Sequence, residues 1–251
     1  MTSNNIFFSF LLSSIAGIST LIGFLFIYIK KNREEVIGKS LGFASGVMIT
    51  ISIIDLIPNS FLLITENNTR LYAIFLILIG FFIGIMISSI VDKKVEKSSK
   101  NSLKLYKLGI ITMLVIMLHN IPEGIATFIT TTNNTKLGVI LTIAIALHNI
   151  PEGISISIPI YYSTNSKVKS FLYTLISGMS EPIGAVISYL FLAKYINNNI
   201  LGIIYSIIAG MMINIAINEL YKESITYNKK YTIIYFIIGS FIMILNHILF
   251  G

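Results

Sequence analysis

Hydrophobic residues fill this chain in runs of about 20, the length at which a helix crosses the hydrocarbon of a bilayer, separated by short polar breaks. The runs lie at 6–29, 41–63, 71–91, 108–130, 138–160, 171–192, 200–219 and 231–250. They predict an all-α polytopic membrane protein with eight transmembrane helices. The leader Met1-Thr2-Ser3-Asn4-Asn5 carries no Lys or Arg, and the first run is too long for a signal-peptide core. It is expected to remain as the first span. Spans and short loops use nearly all residues, so 1–251 is expected to form one transmembrane domain. The longest break, 92–107, is rich in Lys, Ser and Asn and is expected to be a basic loop.

Two of the runs are interrupted by the same six residues. His119-Asn120-Ile121-Pro122-Glu123-Gly124 lies in span 4 and His148-Asn149-Ile150-Pro151-Glu152-Gly153 in span 5. Each copy sets a His and a Glu four residues apart, on one face of a helix. Polar and ionisable residues are costly in hydrocarbon and mark functional sites by default. Two copies on adjacent spans predict one polar site assembled from two helices. Asn120 and Asn149 are rotated by about 100° from their histidines. Each is expected either to offer its oxygen to a second ion or to bridge helices. Gly124 and Gly153 are expected to let the two helices approach closely.

The acids sharpen this. Asp55, Glu123, Glu152, Glu181 and Glu219 lie within or at the edges of spans, and no Lys or Arg shares the depth of the three glutamates in spans 4 to 6. A charged residue at midspan costs about 2.5–3.5 kcal/mol on insertion scales. Divalent cations would neutralise the three carboxylates, with His119 and His148 as neutral ligands. Imidazole with carboxylate suits Zn, Fe, Co, Ni or Mn, and a chain without cysteine offers no thiolate. All five prolines, Pro58, Pro122, Pro151, Pro159 and Pro182, fall inside spans. Each frees the carbonyl four residues earlier, which in lipid must be satisfied by protein, water or an ion.

Composition agrees with a membrane protein: 55% of residues are hydrophobic and 12% charged, with a mean hydropathy of +0.84. The net charge of +7 is distributed by side. Fifteen of the 18 Lys and Arg follow spans 1, 3, 5 and 7, and only Arg70, Lys136 and Lys194 fall in the other breaks. That asymmetry places the odd-numbered loops, including 92–107, in the cytoplasm and both termini outside. The basic loops are therefore read as topology signals against anionic lipid, and nucleic acid is not expected as a partner. A fainter repeat relates Gly46-Val47-Met48-Ile49 with Asp55-Leu56 to Gly210-Met211-Met212-Ile213 with Glu219-Leu220 at equal spacing. Spans 2 and 7 run in opposite directions under this topology. Spans 1–3 and 6–8 are therefore expected to form inverted repeats enclosing spans 4 and 5, a transporter pattern. Asp55 at the outer end of span 2 and Glu219 at the inner end of span 7 are expected to mark the two mouths of a pathway.

The doubled HNIPEG, the later Ser180-Glu181-Pro182-Ile183-Gly184, the eight spans and the basic third loop together resemble the ZIP (Zrt-/Irt-like) divalent metal transporters, in their bacterial ZupT/GufA-like branch. The resemblance covers essentially the whole chain. It implies a 3+2+3 helix bundle and a midmembrane binuclear site. His119, Glu123, His148 and Glu152 would form the primary site, and Asn120, Asn149 and Glu181 the neighbouring one, with Glu123 and Glu152 bridging. Met48 falls where the family offers a thioether. The resemblance also implies transport of Zn²⁺, with Fe²⁺, Mn²⁺, Co²⁺ and Cd²⁺, into the cytoplasm across the inner membrane. The metal would be cargo, with no cofactor. Unlike many members, the loop 92–107 holds no histidine, so no metal-sensing role is expected of it. His247 matches no motif and is expected to be a packing or interfacial residue.

Two other classes were weighed. A zincin-like intramembrane metalloenzyme would require His-Glu-x-x-His, but Asn follows each His here and Glu stands in place of the second His. A proton-coupled carrier of another solute fits the midspan acids but not the doubled His-x-x-x-Glu. The partners expected are divalent metal ions and the lipid bilayer, with a homodimer left open.

Overall fold

The computed structural model describes residues 3–29, 31–98, 104–192 and 197–250, and among these every regular element is helical. Helix α1 (Ser3–Phe24) runs into a 3₁₀ turn, Leu25–Tyr28. Helices α2 (Arg33–Ile51) and α3 (Ile57–Thr65) form one rod joined by a π-helical turn at Ser52–Leu56. Then come α4 (Arg70–Ser98), α5 (Lys104–Asn133), α6 (Thr135–Thr164) and α7 (Lys167–Ile187), the last continued by a π turn at Ser188–Leu192. Helices α8 (Asn198–Ile215) and α9 (Lys222–Tyr227) again form one rod around a π turn, Ala216–Tyr221, and α10 (Lys229–Phe250) follows.

Each expected span corresponds to one rod. Seven of them are long and apolar enough to cross a membrane, and the eighth, α7, carries Ser177, Ser180, Glu181 and Pro182 in its middle. The chain is thus a multi-pass membrane protein. The structure shortens the expected loop at 92–107, because α4 runs to Ser98 and α5 begins at Lys104. Of that stretch only 99–103 lie outside the described residues. The first turns of α5 are tied by ion pairs from Lys107 to Asp92 on α4 (2.8 Å) and from Lys104 to Glu223 on α9.

The turns between rods are tight because their polar residues cap helices. Asn134 alone separates α5 from α6, and its side chain accepts a hydrogen bond from the Leu137 N–H. Asn165 closes α6 in the left-handed region (φ 51°), and Ser166 then accepts from the Lys169 N–H to start α7. Asn32 and Asn197 cap α2 and α8 in the same way, accepting from the N–H groups of Glu34 and Ile200. A side-chain acceptor at such a cap contributes about 1 kcal/mol by satisfying an amide the helix leaves unpaired.

Helices α5 and α6 pack against each other at the heart of the bundle, α5 also against α7 and α6 also against α1, while α2 packs on α10 and α4 on α8. The central window of α5 is 72% buried and that of α10 only 17%. Exposed apolar side chains form outward stripes, such as Phe7, Leu11, Ile15, Ile18 and Ile22 on α1, as a lipid-facing helix requires.

The motif glycines act differently from the sequence expectation. Gly124 and Gly153 do not bring α5 and α6 to each other. Gly124 lies against the Glu181 carbonyl of α7, where an added Cβ would sit 1.8 Å from that oxygen. Gly153 lies against the Thr20 carbonyl of α1, with a corresponding distance of 1.9 Å. Small residues permit such backbone-to-backbone approach in membrane helices. The outcome is that each motif helix is locked to a helix outside the motif pair.

Gly124→Ala is expected to lower the melting temperature of the detergent-solubilised protein well beyond Gly38→Ala, since overpacking against a backbone costs about 1–3 kcal/mol. At Gly38 the nearest atom to an added Cβ is a side-chain carbon of Tyr227 at 3.2 Å, which can yield. Equal shifts for the two variants would contradict the packing described.

Candidate metal centre

The two six-residue motifs are accommodated inside unbroken helices, Pro122 in α5 and Pro151 in α6. The i, i+4 spacing turns His119 with Glu123, and His148 with Glu152, to the seam between the helices. All four side chains are buried. His119 Nε2 lies 3.1 Å from Glu123 Oε1 and 3.5 Å from Glu152 Oε1, and His148 Nε2 lies 3.0 Å from Glu123 Oε1. One ligand atom each from His119, His148 and Glu152 falls within 4.8 Å of the others.

The contacts are close, but few are hydrogen bonds. His148 pairs with Glu123. His119 Nδ1 and Nε2, both oxygens of Glu152, and Glu123 Oε2 are buried without a hydrogen-bond partner. Several atoms therefore converge on a shared region rather than on one another. A buried polar group left unpaired costs about 1–3 kcal/mol, and more if charged, so five such atoms in one place point to a missing common partner. Among the described residues no Lys or Arg pairs with these carboxylates.

Asn120, Asn149 and Glu181 form an adjoining group, each fully buried. Of the alternatives left open by the sequence for the two asparagines, the structure shows the bridging one. Asn149 Nδ2 donates to the Ala16 carbonyl of α1 (2.8 Å) and to Glu181 Oε2 of α7 (2.9 Å). Asn120 Nδ2 donates to the Ser177 carbonyl of α7 (3.4 Å). The amide nitrogens thus bridge helices, while Asn120 Oδ1, Asn149 Oδ1 and Glu181 Oε1 are buried and unpartnered. Met48, by contrast, is buried in the apolar core with Ile51, Ile154, Ile208 and Met212.

A cavity of about 430 Å³ connects this cluster with one end of the bundle. Glu123 and His148 line its floor, and Thr130, Leu137 and Phe250, close to helix ends, line its rim. Asp55 lines it as well, carried by the π turn Ser52–Leu56. Glu219 sits on the π turn Ala216–Tyr221 and lines a separate pocket of about 250 Å³ at the opposite end, with Asp92, Lys104, Lys107 and Glu223. Single π turns recur at functional sites because they displace the helix face that follows.

Of the two alternatives for His247, packing and interfacial, the structure favours the second: it sits in the last turn of α10 with its side chain 40% exposed, lines the cavity, and lies 4.0 Å from Asp55. Nothing in its local sequence announces this, since its partner lies almost the whole chain away. Asn59 was open to detection, being four residues after Asp55 and so on its face. It donates to Asp55 Oδ1 at 2.8 Å.

The family model described as ZIP zinc transporter matches residues 91–247. The chain is 38% identical to a protein of Streptococcus mutans called zinc transporter ZupT, over 99% of both chains. It is 38% identical to the zinc transporter ZupT of Clostridium perfringens, covering 98% of this chain and 97% of that one. For the zinc transporter ZupT of Campylobacter jejuni the identity is 37%, over 100% and 99%. A family match spanning the motif helices and relatives aligned end to end agree with a buried His/Glu/Asn cluster on the doubled motif, and this chain belongs to the ZIP zinc transporter family.

Proposed function

We propose that this protein carries divalent transition-metal ions, zinc foremost, across the plasma membrane into the cytoplasm. The observation that carries the reading is the set of buried, unpartnered ligand atoms on His119, Glu123, Glu152, Asn120, Asn149 and Glu181. In this reading His119, Glu123, His148 and Glu152 hold one ion. Asn120, Asn149 and Glu181 hold a second beside it, with Glu123 and Glu152 bridging, and Met48 is available to the first from α2. Two dications offset three carboxylates in a place where water cannot. The relatives' names favour zinc, and the sequence reading takes inward transport from the family.

The arrangement is read as three helices, two, and three, the outer triplets being inverted repeats. Reciprocal packing supports this. The two π turns sit at matching places, one carrying Asp55 and the other Glu219. Gly17 and Gly178 each lie against the other's carbonyl, and Gly46 against Phe236 mirrors Gly210 against Phe81. With the basic breaks cytoplasmic, the 430 Å³ cavity faces outward and both termini lie outside. An ion would enter past Asp55, exchange water for the motif side chains, and leave past Glu219.

Three measurements check this. In reconstituted vesicles, His119→Ala, Glu123→Ala, His148→Ala and Glu152→Ala should each cut Zn²⁺ uptake by more than tenfold. Losing even a supporting group behind a metal ligand costs about 10–100-fold. Near-normal uptake by Glu152→Ala would sink the site assignment. Nitrogen and oxygen ligands select weakly among these metals, so Fe²⁺, Mn²⁺, Co²⁺ and Cd²⁺ should include several that reduce labelled Zn²⁺ uptake. Exclusive use of one ion would contradict the reading. The chain has no cysteine, so Asp55→Cys and Glu219→Cys report sidedness directly. Impermeant thiol reagents should reach the first from outside and the second from inside. Labelling of both from one side would refute the path and the orientation.

A further inference from the structure

The cavity above the buried cluster holds a second constellation of ligand types. Asp55 and His247 face each other with Oδ1 and Nδ1 4.0 Å apart, too far for a hydrogen bond. Both are accessible, with side chains 35% and 40% exposed. Asn59 donates to Asp55 Oδ1 (2.8 Å) and so orients the carboxylate across one helical turn. Asn246 also lines the cavity. It is 93% buried by its 7% relative exposure, its Nδ2 is held by the Ala144 carbonyl, and its Oδ1 has no partner. Among the described residues no Lys or Arg lines this cavity.

We propose that Asp55 and His247 form an outer coordination station that takes a transition-metal ion from solution before it reaches the buried cluster. The inference rests on reading this cavity as the ion's approach. Two ligands on one tetrahedral zinc, with bonds of about 2.0–2.2 Å, stand about 3.4 Å apart. The observed 4.0 Å separation needs only a small side-chain rotation to close on an ion. Two protein ligands, with water completing the shell, hold an ion weakly enough to pass it on, which conduction between successive sites requires. The imidazole gives the station its chemistry. A carboxylate alone attracts Ca²⁺ and Mg²⁺ as readily, whereas imidazole favours Zn²⁺, Co²⁺ and similar ions. The station thus discards the hard dications before the dehydration step. Electrostatic focusing by Asp55 alone makes a different prediction for His247: removing the imidazole would then leave uptake unchanged.

Zn²⁺ uptake kinetics in vesicles containing the full-length protein test this. His247→Phe, which keeps a planar side chain, and Asp55→Asn should each raise KM about fivefold or more, as loss of a local ion reservoir does, with a smaller effect on kcat. The double variant should do little worse than either single, because both act on one ion. His247→Asp should restore a low KM but make Zn²⁺ uptake sensitive to excess Ca²⁺. In a second arm, solubilised Glu123→Ala/Glu152→Ala/Glu181→Ala protein, which lacks the carboxylates of both buried sites, should retain weak Zn²⁺ binding by calorimetry, and adding His247→Phe should remove it. This arm does not depend on transport, so an absence of uptake in the wild type would count against the function proposed above and not against the station. An unchanged KM for His247→Phe, additive effects of the two single variants, or residual binding indifferent to His247 would each overturn the station.

Discussion

The structure is organised around one electrostatic constraint: three carboxylates buried at the core of a membrane bundle with no Lys or Arg among the described residues paired to them. Glu123, Glu152 and Glu181 are 6%, 1% and 0% exposed. Isolated ionised groups in a low-dielectric interior are costly by several kcal/mol each unless paired. The surrounding helices satisfy only part of this demand. His148 takes one oxygen of Glu123, Asn149 takes one of Glu181, and neither oxygen of Glu152 has a partner. On the function proposed above, these unsatisfied atoms are what an arriving ion would meet, and a full complement of protein hydrogen bonds would leave nothing to offer it.

That demand explains the packing around the site. The ligands must be held on rigid elements, and α5 and α6 are held both by backbone contact at glycines and by large side chains buried between them, Met113 and Ile116 with Ile156 and Ile160. Gly124 against Glu181 and Gly153 against Thr20 bring α7 and α1 within reach of the motif. Asn149 can then bridge both, donating to Ala16 and to Glu181 at once. The glycine of each motif is thus the reason its asparagine has partners. The outer helices turn further Ile, Leu and Phe side chains to lipid at no cost.

The two π turns extend the same logic along the transport axis. Each lies in a rod outside the central pair, and each carries one acid to a cavity at opposite ends of the bundle. The acids are half exposed rather than buried, so they keep water and can meet a hydrated ion. Under the proposed function, the step from wet acid to dry His/Glu cluster is a gradient of dehydration, along which an ion would exchange its water for side chains.

Local sequence sufficed wherever one helix carries the whole signal. Run length announced the spans, and the four-residue spacing of His119 with Glu123 and His148 with Glu152 put each pair on one face. Charge asymmetry and the matching GVMI and GMMI segments hinted at opposed halves, and Asp55 and Asn59 were readable as neighbours on one turn. What crosses between helices was not readable, because a helical period states which face a residue occupies and never which helix that face meets. So Gly124 and Gly153 proved to contact α7 and α1 instead of each other, and the π turns that re-aim Asp55 and Glu219 have no distinct sequence mark. His247 stands in an ordinary apolar run, and only the packing of α10 beside the α2–α3 rod sets it 4.0 Å from Asp55. Sequence by itself determined the class of protein and the ligand types, since composition and spacing are properties of one chain segment. The tertiary structure decided which atoms converge and which are left without partners, since that depends on how separate helices are set against one another in space.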